Sequence, residues 1–417
     1  MKHPKMQYTY VGIDSHKNTH TAVFIDCFFE KLGEITFDNL PSKFPAFLKK
    51  AEQYKVDGTD FVFGLEDVGM YGRTLAIFLD NNNQKVKHTN ALLVARERKN
   101  QNIVQKTDSV DGECAARVLL SKFGELQDFV SDEKYFILRS MVARRNFITK
   151  NNTSLKNHLH SILTQHYPNY NTFFPDIHSK NSMAFFYEYP SPITLKNVSI
   201  EELTEFFRKV SSNRGSNGRS ISERAKVIID TLQDTTVPFQ EIRDDSVRST
   251  IRQIESNMDE LKRIDKTLAE FMKKFDCTLT SMTGIDLVSA AQILSCIGDV
   301  KKFSTPAKLA RYSGIAPVSY SSGQRDLQFA NQRGNRELNS LFYLLSLRLI
   351  TTNRGKILNP FFFEYYHRKV SEGKTKTQAL KCVQRRLVNI IWTMLTNNDE
   401  YVNPPMFDKP PKKEESK

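Results

Sequence analysis

An apolar run that ends on an acidic residue constrains the fold of this chain more than any other feature. Tyr10-Val-Gly-Ile-Asp14 has the character of a buried strand, and it places the carboxylate of Asp14 at the strand's polar end. A second apolar run, 60–65, is followed directly by Glu66, and Asp108 and Asp111 stand at the start of a predicted helix. Oxygen ligands suit Mg²⁺, so the pattern predicts a divalent-metal site.

The order of the predicted elements around these acids is typical of one α/β fold. Apolar patterning predicts strands over 8–14, 19–25, 31–37, 60–65 and 85–88, and helical spacing predicts helices over 41–54, 71–81 and after Asp108. Three strands, a helix, a strand, a helix, a strand and a final helix form the ribonuclease-H-like progression. In that fold an Asp on the first strand, joined by later acids, holds metal ions that clamp the attacking and departing oxygens of a phosphate.

Each acid also has a purely structural explanation. Asp14 could simply end a strand, Glu66 could belong to a turn, and Asp108 lies in a sequence with good helix-cap chemistry. The helix dipole favours Asp111 in a first turn whatever its function. Three positions apart, Asp108 and Asp111 face the same side of a helix, as two ligands of one ion should. Their joint occurrence in this strand order favours the catalytic interpretation.

The bulk composition predicts two or three domains and a polyanionic partner. The chain has 417 residues, and 60 Lys and Arg against 47 Asp and Glu give a formal charge of +13. Nucleic acid is the natural partner for such an excess, although a solvated basic surface is the alternative. The five cysteines are scattered without C-x-x-C spacing, and the sequence shows no apolar signal core and no membrane-length apolar run. Together these features predict a cytoplasmic protein.

Two long helices are predicted in the middle of the chain. The first covers 132–166, and the second covers 244–275 with a heptad seam sustained over about four repeats. We expect an antiparallel pairing of the two, with a bundle inside one chain and a coiled coil between chains as open alternatives. Between them the sequence predicts a loop-rich stretch to residue 195, a capped helix over 200–209 and a flexible Gly/Ser/Arg-rich loop over 211–222.

The C-terminal part combines helices with a possible phosphate-binding turn. Residues 279–292 resemble the turn of a helix-hairpin-helix, whose backbone amides contact phosphates; an ordinary helix start capped around Thr283 is the alternative. Helices are predicted over 305–312, 336–351 and 377–395, around a Gly/Ser-rich connector over 313–335, and the tail from Asn403 is predicted to be disordered.

A serine beside a glycine in the connector is a candidate nucleophile. Ser322 precedes Gly323 and is followed by Arg325, Arg333 and Arg336. A glycine lets backbone approach closely, and guanidinium groups can neutralise the charge of a pentacoordinate phosphate. Composition alone favours the simpler interpretation, a polar turn that binds phosphate passively.

A series of short motifs, none of them rare, occurs in a specific order and spacing. They are Val11-Gly-Ile-Asp14, Glu66, Lys106-Thr-Asp108-Ser-Val-Asp111, Gly284-Ile285, Ala310-Arg-Tyr-Ser-Gly314-Ile-Ala-Pro317, Ser322-Gly323 and Arg333-Gly-Asn335. With them the chain resembles the DEDD transposases of the insertion-sequence one-hundred-ten family, also called bridge-RNA-guided recombinases, from about residue 8 to 395. Asp286 in place of a usual Gly, Asn339 in place of a common Arg, and extra length between 168 and 243 depart from that pattern.

The resemblance implies an α/β plus α architecture in four parts. These are an N-terminal RuvC-like (ribonuclease-H-like) DEDD domain over 1–130, a helical coiled-coil middle with a loop-rich insertion over 131–275, a mostly helical C-terminal transposase domain over 276–400 and a disordered tail over 401–417. It further implies that Asp14, Glu66, Asp108 and Asp111 hold Mg²⁺, while Ser322, with Ser321 as the second candidate, forms a phosphoserine intermediate with DNA.

The same resemblance implies the partners. A structured guide RNA would pair with donor and target double-stranded DNA, and protomers would assemble into a dimer or tetramer. The protein would then contact mainly phosphate backbone, with Arg325, Arg333 and Arg336 as candidate contacts and Lys17 and Lys106 as weaker ones, since surface lysines are usually just solvated.

Two rival functions are consistent with parts of the sequence. A RuvC-like metal-dependent nuclease would use water as the nucleophile and keep the serine as a structural residue. A non-enzymatic nucleic-acid-binding protein with a decayed site is the second rival, but acids stand at all four expected positions.

Overall fold

The computed structural model divides the chain into two compact units, Met1–Phe136 and Ile137–Lys417. It describes residues 3–66, 70–129, 133–211, 218–232, 238–322, 325–329, 331, 334–353 and 355–403, and at 218–220, 319–322, 325–328 and 353 it describes only the backbone. The predicted disordered tail lies almost entirely outside the described residues.

The first unit is built on a five-stranded mixed sheet. Its strands are β1 (Tyr8–Ser15), β2 (Thr19–Ile25), β3 (Lys31–Asp38), β4 (Asp60–Leu65) and β5 (Lys85–His88), in the spatial order β3-β2-β1-β4-β5. β1 and β2 and also β2 and β3 are antiparallel, whereas β1 and β4 and also β4 and β5 are parallel. This order is compatible with the ribonuclease-H-like fold expected from the sequence.

Helices cover both faces of that sheet. They are α1 (Phe44–Ala51), α2 (Arg73–Asn81), α3 (Ala91–Asn100) and α4 (Asp108–Ser121). One face buries Val11 and Phe63 against residues of α1 and α2, while the other buries Tyr10 and Val62 against Leu119 of α4. Alternating side chains of the central strands therefore fill two cores, which explains why these strands read as continuous apolar runs. Helix α3 is an element that the sequence did not predict.

The second unit is almost entirely helical. Its helices are α5 (Glu133–His166, which begins just before the boundary), α6 (Lys180–Glu188), α7 (Ile200–Val210), α8 (Gly218–Asp230), α9 (Gln240–Met272), α10 (Leu287–Ile297), α11 (Pro306–Tyr312), α12 (Arg336–Ile350), α13 (Pro360–Ser371) and α14 (Lys376–Asn397). Two small antiparallel pairs accompany them, β6 (Val318–Ser322) with β7 (Arg325–Phe329) and β8 (Thr352–Asn353) with β9 (Lys356–Ile357).

The long helices α5 and α9 lie antiparallel. Arg145 of α5 pairs with Asp265 of α9 at 2.6 Å, and at the other end Arg243 of α9 donates to the side-chain oxygen of Gln165 at 2.9 Å. Residue numbers that rise along one helix thus fall along the other, as expected from the sequence. The heptad coiled coil stays a prediction.

The segment between α5 and α9 has a core of its own. Aromatic side chains of Tyr167, Phe173, Phe185 and Phe207 are buried there, together with apolar residues at the adjoining ends of α5 and α9. The predicted loop-rich stretch to residue 195 is wrong in part, because α6 forms within it. The predicted capped helix is confirmed, with a capping box between Ser199 and Glu202. The predicted loop over 211–222 is wrong from Gly218 onward, where α8 begins, and 212–217 lie outside the described residues.

The C-terminal part departs from the sequence-based expectation at three places. Helix α10 is capped by Asp286, whose Oδ1 accepts from the backbone N–H of Ser289 at 2.8 Å, so the cap is not at Thr283. The connector predicted over 313–335 contains the β6–β7 hairpin, and α13 was not predicted. Among the described helices none has the length and apolar character needed to cross a membrane.

Candidate metal centre and serine hairpin

Two of the predicted acids meet at the carboxyl end of β1. Asp14, the penultimate residue of that strand, and Asp108, the first residue of α4, both lie 3.2 Å from Nε2 of His16, through one carboxylate oxygen each. One ligand atom from each of these three residues lies within 4.8 Å of the other two, a spacing that a single ion can bridge. The side chain of Asp14 is only 14% exposed, whereas those of His16 and Asp108 are about half exposed. The centre is therefore open on one side.

A glycine in β1 brings the acids together. A Cβ atom added to Gly12 would lie 2.1 Å from the carbonyl oxygen of Gly112 and 2.2 Å from the backbone nitrogen of Ala116, both in α4. Only glycine permits this approach of helix to strand. Since Gly12 lies two residues before Asp14 and Gly112 follows Asp111, the same contact fixes the acids of the helix against the acid of the strand.

The first turn of α4 is held by its cap and by β3. The side-chain oxygen of Thr107 accepts from the backbone N–H of Val110 at 3.2 Å, so the cap is Thr107 and Asp108 remains available to the centre. Ser109 donates to Glu34 of β3, and Lys31 of the same strand donates to Ser109 at 3.1 Å. The capping explanation for Asp108 is therefore not needed.

Asp111 is nearly buried and is paired with a residue of the unpredicted helix α3. Its Oδ1 accepts from the guanidinium of Arg98, and its own exposure is 9%. Asp111 nevertheless raises the pKa of Asp14 through its charge, which places it in electrostatic reach of the centre. Arg98 thus balances the charge of Asp111, whereas Asp14 and Asp108 both contact His16.

Glu66 lies beside Asp14 through the register of the sheet. Ile13 of β1 pairs with Leu65 of the parallel strand β4, and Asp14 and Glu66 are the next residue on each strand. Glycines 12 and 64 form another registered pair, and both face α4. Alternation continued from them turns the side chains of Asp14 and Glu66 to that same face. The backbone oxygen of Glu66 is 3.0 Å from Nε2 of His88, which fixes the end of β4.

The electrostatics of the centre favour a bound cation. Burial raises the pKa of Asp14 above its usual value, His16 opposes this shift, and the charges of Asp108 and Asp111 raise the pKa further. Partly buried carboxylates that repel each other are stabilised by a cation between them. The donor set of carboxylate oxygens with one optional imidazole nitrogen fits a divalent metal ion.

The two predicted lysines are exposed near the ends of the elements that form the centre. Lys17 follows His16 in the β1–β2 turn, and Lys106 precedes the Thr107 cap. Asn39 holds the turn, because its side-chain nitrogen donates to the carbonyls of His16 and Lys17 at 3.3 Å each and to that of Tyr71 at 3.2 Å. The positions of Lys17 and Lys106 are compatible with phosphate contact, which stays a prediction.

The predicted nucleophile ends the first strand of a hairpin, which we call the serine hairpin (residues 318–329). Ser322 is the last residue of β6 and pairs in register with Arg325, the first residue of β7, while Ser321 pairs with Asp326. Arg333 lies outside the described residues. Arg336 is exposed and begins α12, which is capped by the Asn335 side chain accepting from the backbone N–H of Leu338 at 2.9 Å.

The motifs before and after the serine hairpin, around Gly314 and Gly334, contact each other at the base of the hairpin. A Cβ added to Gly334 would lie 2.2 Å from the nitrogen of Gly314, so the two glycines touch backbone to backbone. The backbone N–H of Asn335 donates to the carbonyl of Tyr312 at 2.7 Å, and the side-chain nitrogen of Asn339 donates to the backbone carbonyl of Ser313 at 2.8 Å. Asn339, a departure from the family pattern, thus has a structural role here.

Known proteins match both halves of this description. Residues 11–168 match a family of DEDD transposases of the IS110 type, and residues 277–360 match the family described as Transposase IS116/IS110/IS902. The chain is 26% identical over 395 residues to the 44.8 kDa protein of insertion element IS116 from Streptomyces clavuligerus, covering 93% of this chain and 94% of that protein. The chain belongs to the IS110 family of transposases. It is accordingly a DNA transposase, an enzyme of recombination.

Other relatives cover less of the chain. The 43.6 kDa protein of insertion element IS110 from Streptomyces coelicolor is 26% identical over 305 residues, which is 71% of this chain and 72% of that protein. The pilin gene-inverting protein of Moraxella bovis is 28% identical over 125 residues, which is 29% of this chain and 36% of that protein. The first matched family segment contains all four acids, and the second contains the serine hairpin and its base.

Sequence reasoning missed three residues of the centre, His16, Arg98 and Asn39. His16 lies two residues after Asp14, and an imidazole next to a predicted metal acid could have been considered as a ligand. Arg98 could not have been found, because its helix has little apolar periodicity and only Val94 of α3 is buried. Asn39 acts through backbone carbonyls of distant segments, for which a sequence pattern gives no signal.

Proposed function

We propose that this transposase cuts and rejoins DNA through a phosphoserine intermediate formed by Ser322, at a phosphate that Asp14, Glu66, Asp108 and Asp111 hold through Mg²⁺. The observation that supports this most is the meeting of Asp14 and Asp108 around one nitrogen, with Asp111 within electrostatic reach. When bound there, a divalent ion would withdraw charge from the phosphate and stabilise the transition state.

The proposed reaction conserves phosphodiester bonds. The Oγ atom of Ser322 bonds to phosphorus as one phosphorus–sugar oxygen bond breaks, the hydroxyl proton passes to solvent, and the departing sugar oxygen takes up a proton. A sugar hydroxyl of a second strand then attacks the phosphoserine and releases the serine. A guanidinium near Ser322, for which Arg325 is the nearest candidate in register, would neutralise the charge of the pentacoordinate phosphorus.

We further propose that a structured guide RNA selects the donor and target DNA and that a homo-oligomer is the active form. The charge of +13 supports polyanionic partners. If base pairing reads the sequence, the protein needs only backbone and shape contacts, which is consistent with basic residues spread over both units.

The decisive experiment traps the covalent intermediate. Full-length protein is incubated with Mg²⁺, labelled DNA that spans an element end, and RNA transcribed from the element, and is then denatured for gel electrophoresis and mass spectrometry. Wild type and Ser321→Ala should both yield a DNA adduct on Ser322, and Ser322→Ala should yield none. Strand cleavage that persists in Ser322→Ala would instead identify a RuvC-like nuclease that uses water.

The RNA and metal requirements are tested in the same assay. Omission of the RNA, or addition of EDTA, should abolish adduct formation while the protein stays folded. Recombination that proceeds equally well without RNA would refute the guide, and activity in EDTA would refute the metal.

A further inference from the structure

Two clefts in the second unit join into one groove. A cleft of about 890 Å³ and another of about 490 Å³ share four lining residues, Ile315, Pro317, Lys381 and Cys382. Its lining comes from α14, from the loop over 314–317, from the base of the serine hairpin and from residues of α12 and α13. We call this the basic groove, because its cationic lining residues are Arg336, Lys374, Lys381, Arg385 and Arg386.

The cations of the basic groove have no ion-pair partner among the described residues. None of the described residues that line the two clefts is acidic, and none of the five cations lies in an ion pair with a described residue. Elsewhere on the surface of this unit lysines are commonly paired, as Lys262 is with Asp259 and Lys273 with Glu270, both at 2.8 Å. Five unpaired cations in one depression form a site for a polyanion, whose phosphates would replace the missing acids.

The cations form an ordered row along α14. Lys381 and Arg385 are four residues apart, and Asn389 follows after another turn, so the three lie on one side of the helix. The opposite side of α14 packs into the core through residues such as Val383, Leu387 and Ile391. Nη1 of Arg385 and Oδ1 of Asn389 are buried without a hydrogen-bond partner among the described residues, and burial lowers the pKa of Lys381. These polar atoms point to a ligand that completes their bonding.

An exposed aromatic ring stands at the end of the groove nearest the serine hairpin. Phe329 lines the larger cleft and is 55% exposed, although an apolar ring of this size is normally buried. It pairs in register with Val318 at the base of the hairpin. Ser322 lies four residues further along β6, or about 13 Å at the rise of an extended strand. The groove therefore begins close to the proposed nucleophile.

The basic groove has a definite far end. Beyond Arg386 and Asn389 a third cleft contains Asp399 and Glu400, so the charge of the lining reverses there. From the start of α14 at Lys376 to Asn389 the helical rise gives a length of about 20 Å, enough for roughly six stacked nucleotides. Separated cations with an aromatic platform are the usual combination for single-stranded nucleic acid, because the bases of a duplex have no free face to stack on a ring.

We propose that the basic groove binds the single-stranded DNA segment next to the phosphate that Ser322 attacks, with phosphates along the α14 cations and a base stacked on Phe329. The inference rests on the proposed function, since that function supplies the strand whose continuation enters the groove. DNA is favoured over RNA because the groove starts at the hairpin that would be covalently linked to DNA.

The test measures binding separately from chemistry. Fluorescence anisotropy of full-length protein in EDTA follows fluorescein-labelled (dT)20, (rU)20 and a 20-base-pair duplex over a range of salt concentrations. Lys381→Glu with Arg386→Glu should weaken (dT)20 binding at least tenfold and reduce the slope of log affinity against log salt by about 1.4, as expected for two lost phosphate contacts. Phe329→Ala should weaken it roughly 5- to 100-fold, and Phe329→Tyr should restore it.

A matched double variant controls for net charge. Lys196 and Lys226 are exposed, lie outside the groove and form no ion pair with the described residues, so Lys196→Glu with Lys226→Glu should retain the slope and nearly all the affinity. The proposal would be overturned if both double variants lost affinity equally or if wild type showed no measurable binding of (dT)20. It would also be overturned if Phe329→Ala weakened duplex binding equally, or if (rU)20 bound more tightly than (dT)20 with the same sensitivities.

Failure of the groove and failure of the nucleophile give different results. If the Lys381→Glu and Arg386→Glu variant forms the Ser322 adduct at the wild-type rate, the groove assignment is wrong and the proposed reaction stands. If Ser322→Ala still cleaves DNA while the groove variants lose (dT)20 binding, the proposed reaction is wrong and the groove stands.

Discussion

Substitution of Gly12 by alanine should disrupt the metal centre without touching any of its ligands. The new methyl group would lie 2.1 and 2.2 Å from backbone atoms of α4, against 3.4–4 Å for an ordinary contact, so strand and helix must separate by about 1 Å. Overpacking commonly costs about 1–3 kcal/mol, and backbone atoms that cannot rotate aside put this case at about 3 kcal/mol or more. A shift of that size would also separate Asp14 from Asp108.

Two other glycines of the same unit make this a graded series. A Cβ at Gly112 would lie 2.9 Å from a methyl group of Val23, a side chain that can partly adjust, so Gly112→Ala should cost about 1 kcal/mol. A Cβ at Gly124 meets nothing within 4 Å, so Gly124→Ala should be neutral to within about 0.5 kcal/mol. The expected order of destabilisation is Gly12, then Gly112, then Gly124.

Hydrogen exchange of peptides from β1 and α4 measures this series locally, and Mn²⁺ titration by calorimetry measures its effect on the centre. A loss of 3 kcal/mol corresponds to a roughly 100-fold fall in exchange protection. Trp392 is the only tryptophan and lies in α14, so its fluorescence shows whether the second unit remains folded. Wild-type protection and metal affinity in Gly12→Ala would refute the claim that the glycine contact assembles the centre.

Three further changes test the centre and the hairpin base. Burial and two neighbouring acids raise the pKa of Asp14 in the folded state above its value in the unfolded chain. As the pH rises through these two pKa values, Asp14 ionises and the metal-free protein loses stability. Asp14→Asn should therefore raise the melting temperature of the metal-free protein by a few degrees and remove metal-dependent stabilisation; a lower melting temperature without metal would contradict this. Arg98→Gln leaves Asp111 without its ion-pair partner, so it should lower the stability of the metal-free protein by about 2 kcal/mol and tighten metal binding in calorimetry. If stability and metal affinity both fell or both rose, Arg98 would not balance the charge of Asp111. Gly334→Ala would place a Cβ atom 2.2 Å from the backbone nitrogen of Gly314, so the two segments must separate, thermal melting should show a loss of about 3 kcal/mol, and the Ser322 adduct should disappear. A wild-type adduct yield would argue against the hairpin base as the support of Ser322.

Strong periodicity is what made the first unit predictable. All five strands were expected within a residue or two. The central strands β1, β2 and β4 are apolar runs bounded by polar turns, and the edge strand β3 alternates between exposed and partly buried residues. Helix α3 was missed because the second half of it, residues 96–100, is entirely polar or charged and only Val94 is buried. The β6–β7 hairpin was missed because each strand has only five residues, β6 is rich in serine and β7 has no β-branched residue.

The site was predictable where it depends on local sequence and not where it depends on distant contacts. Asp14 and Glu66 follow apolar strands, and parallel pairing of those strands brings them side by side. Asp108 and Asp111 were expected together from helical spacing, but the pairing of Asp111 with Arg98 depends on how α3 packs on α4. The meeting of Gly314 with Gly334 likewise depends on the closure of the hairpin between them.

The antiparallel stem of α5 and α9 has an evolutionary consequence. The polypeptide leaves the stem near Gln165 and returns near Arg243, two residues that are hydrogen-bonded to each other. Because these two points are adjacent, residues can be inserted or deleted between them while both helices keep their register. The segment between α5 and α9 is therefore a place where family members can differ in length. This protein has a mass of 48.1 kDa, and its IS116 relative has 44.8 kDa. An insertion between α5 and α9 therefore leaves the segments with the acids and the serine hairpin unchanged.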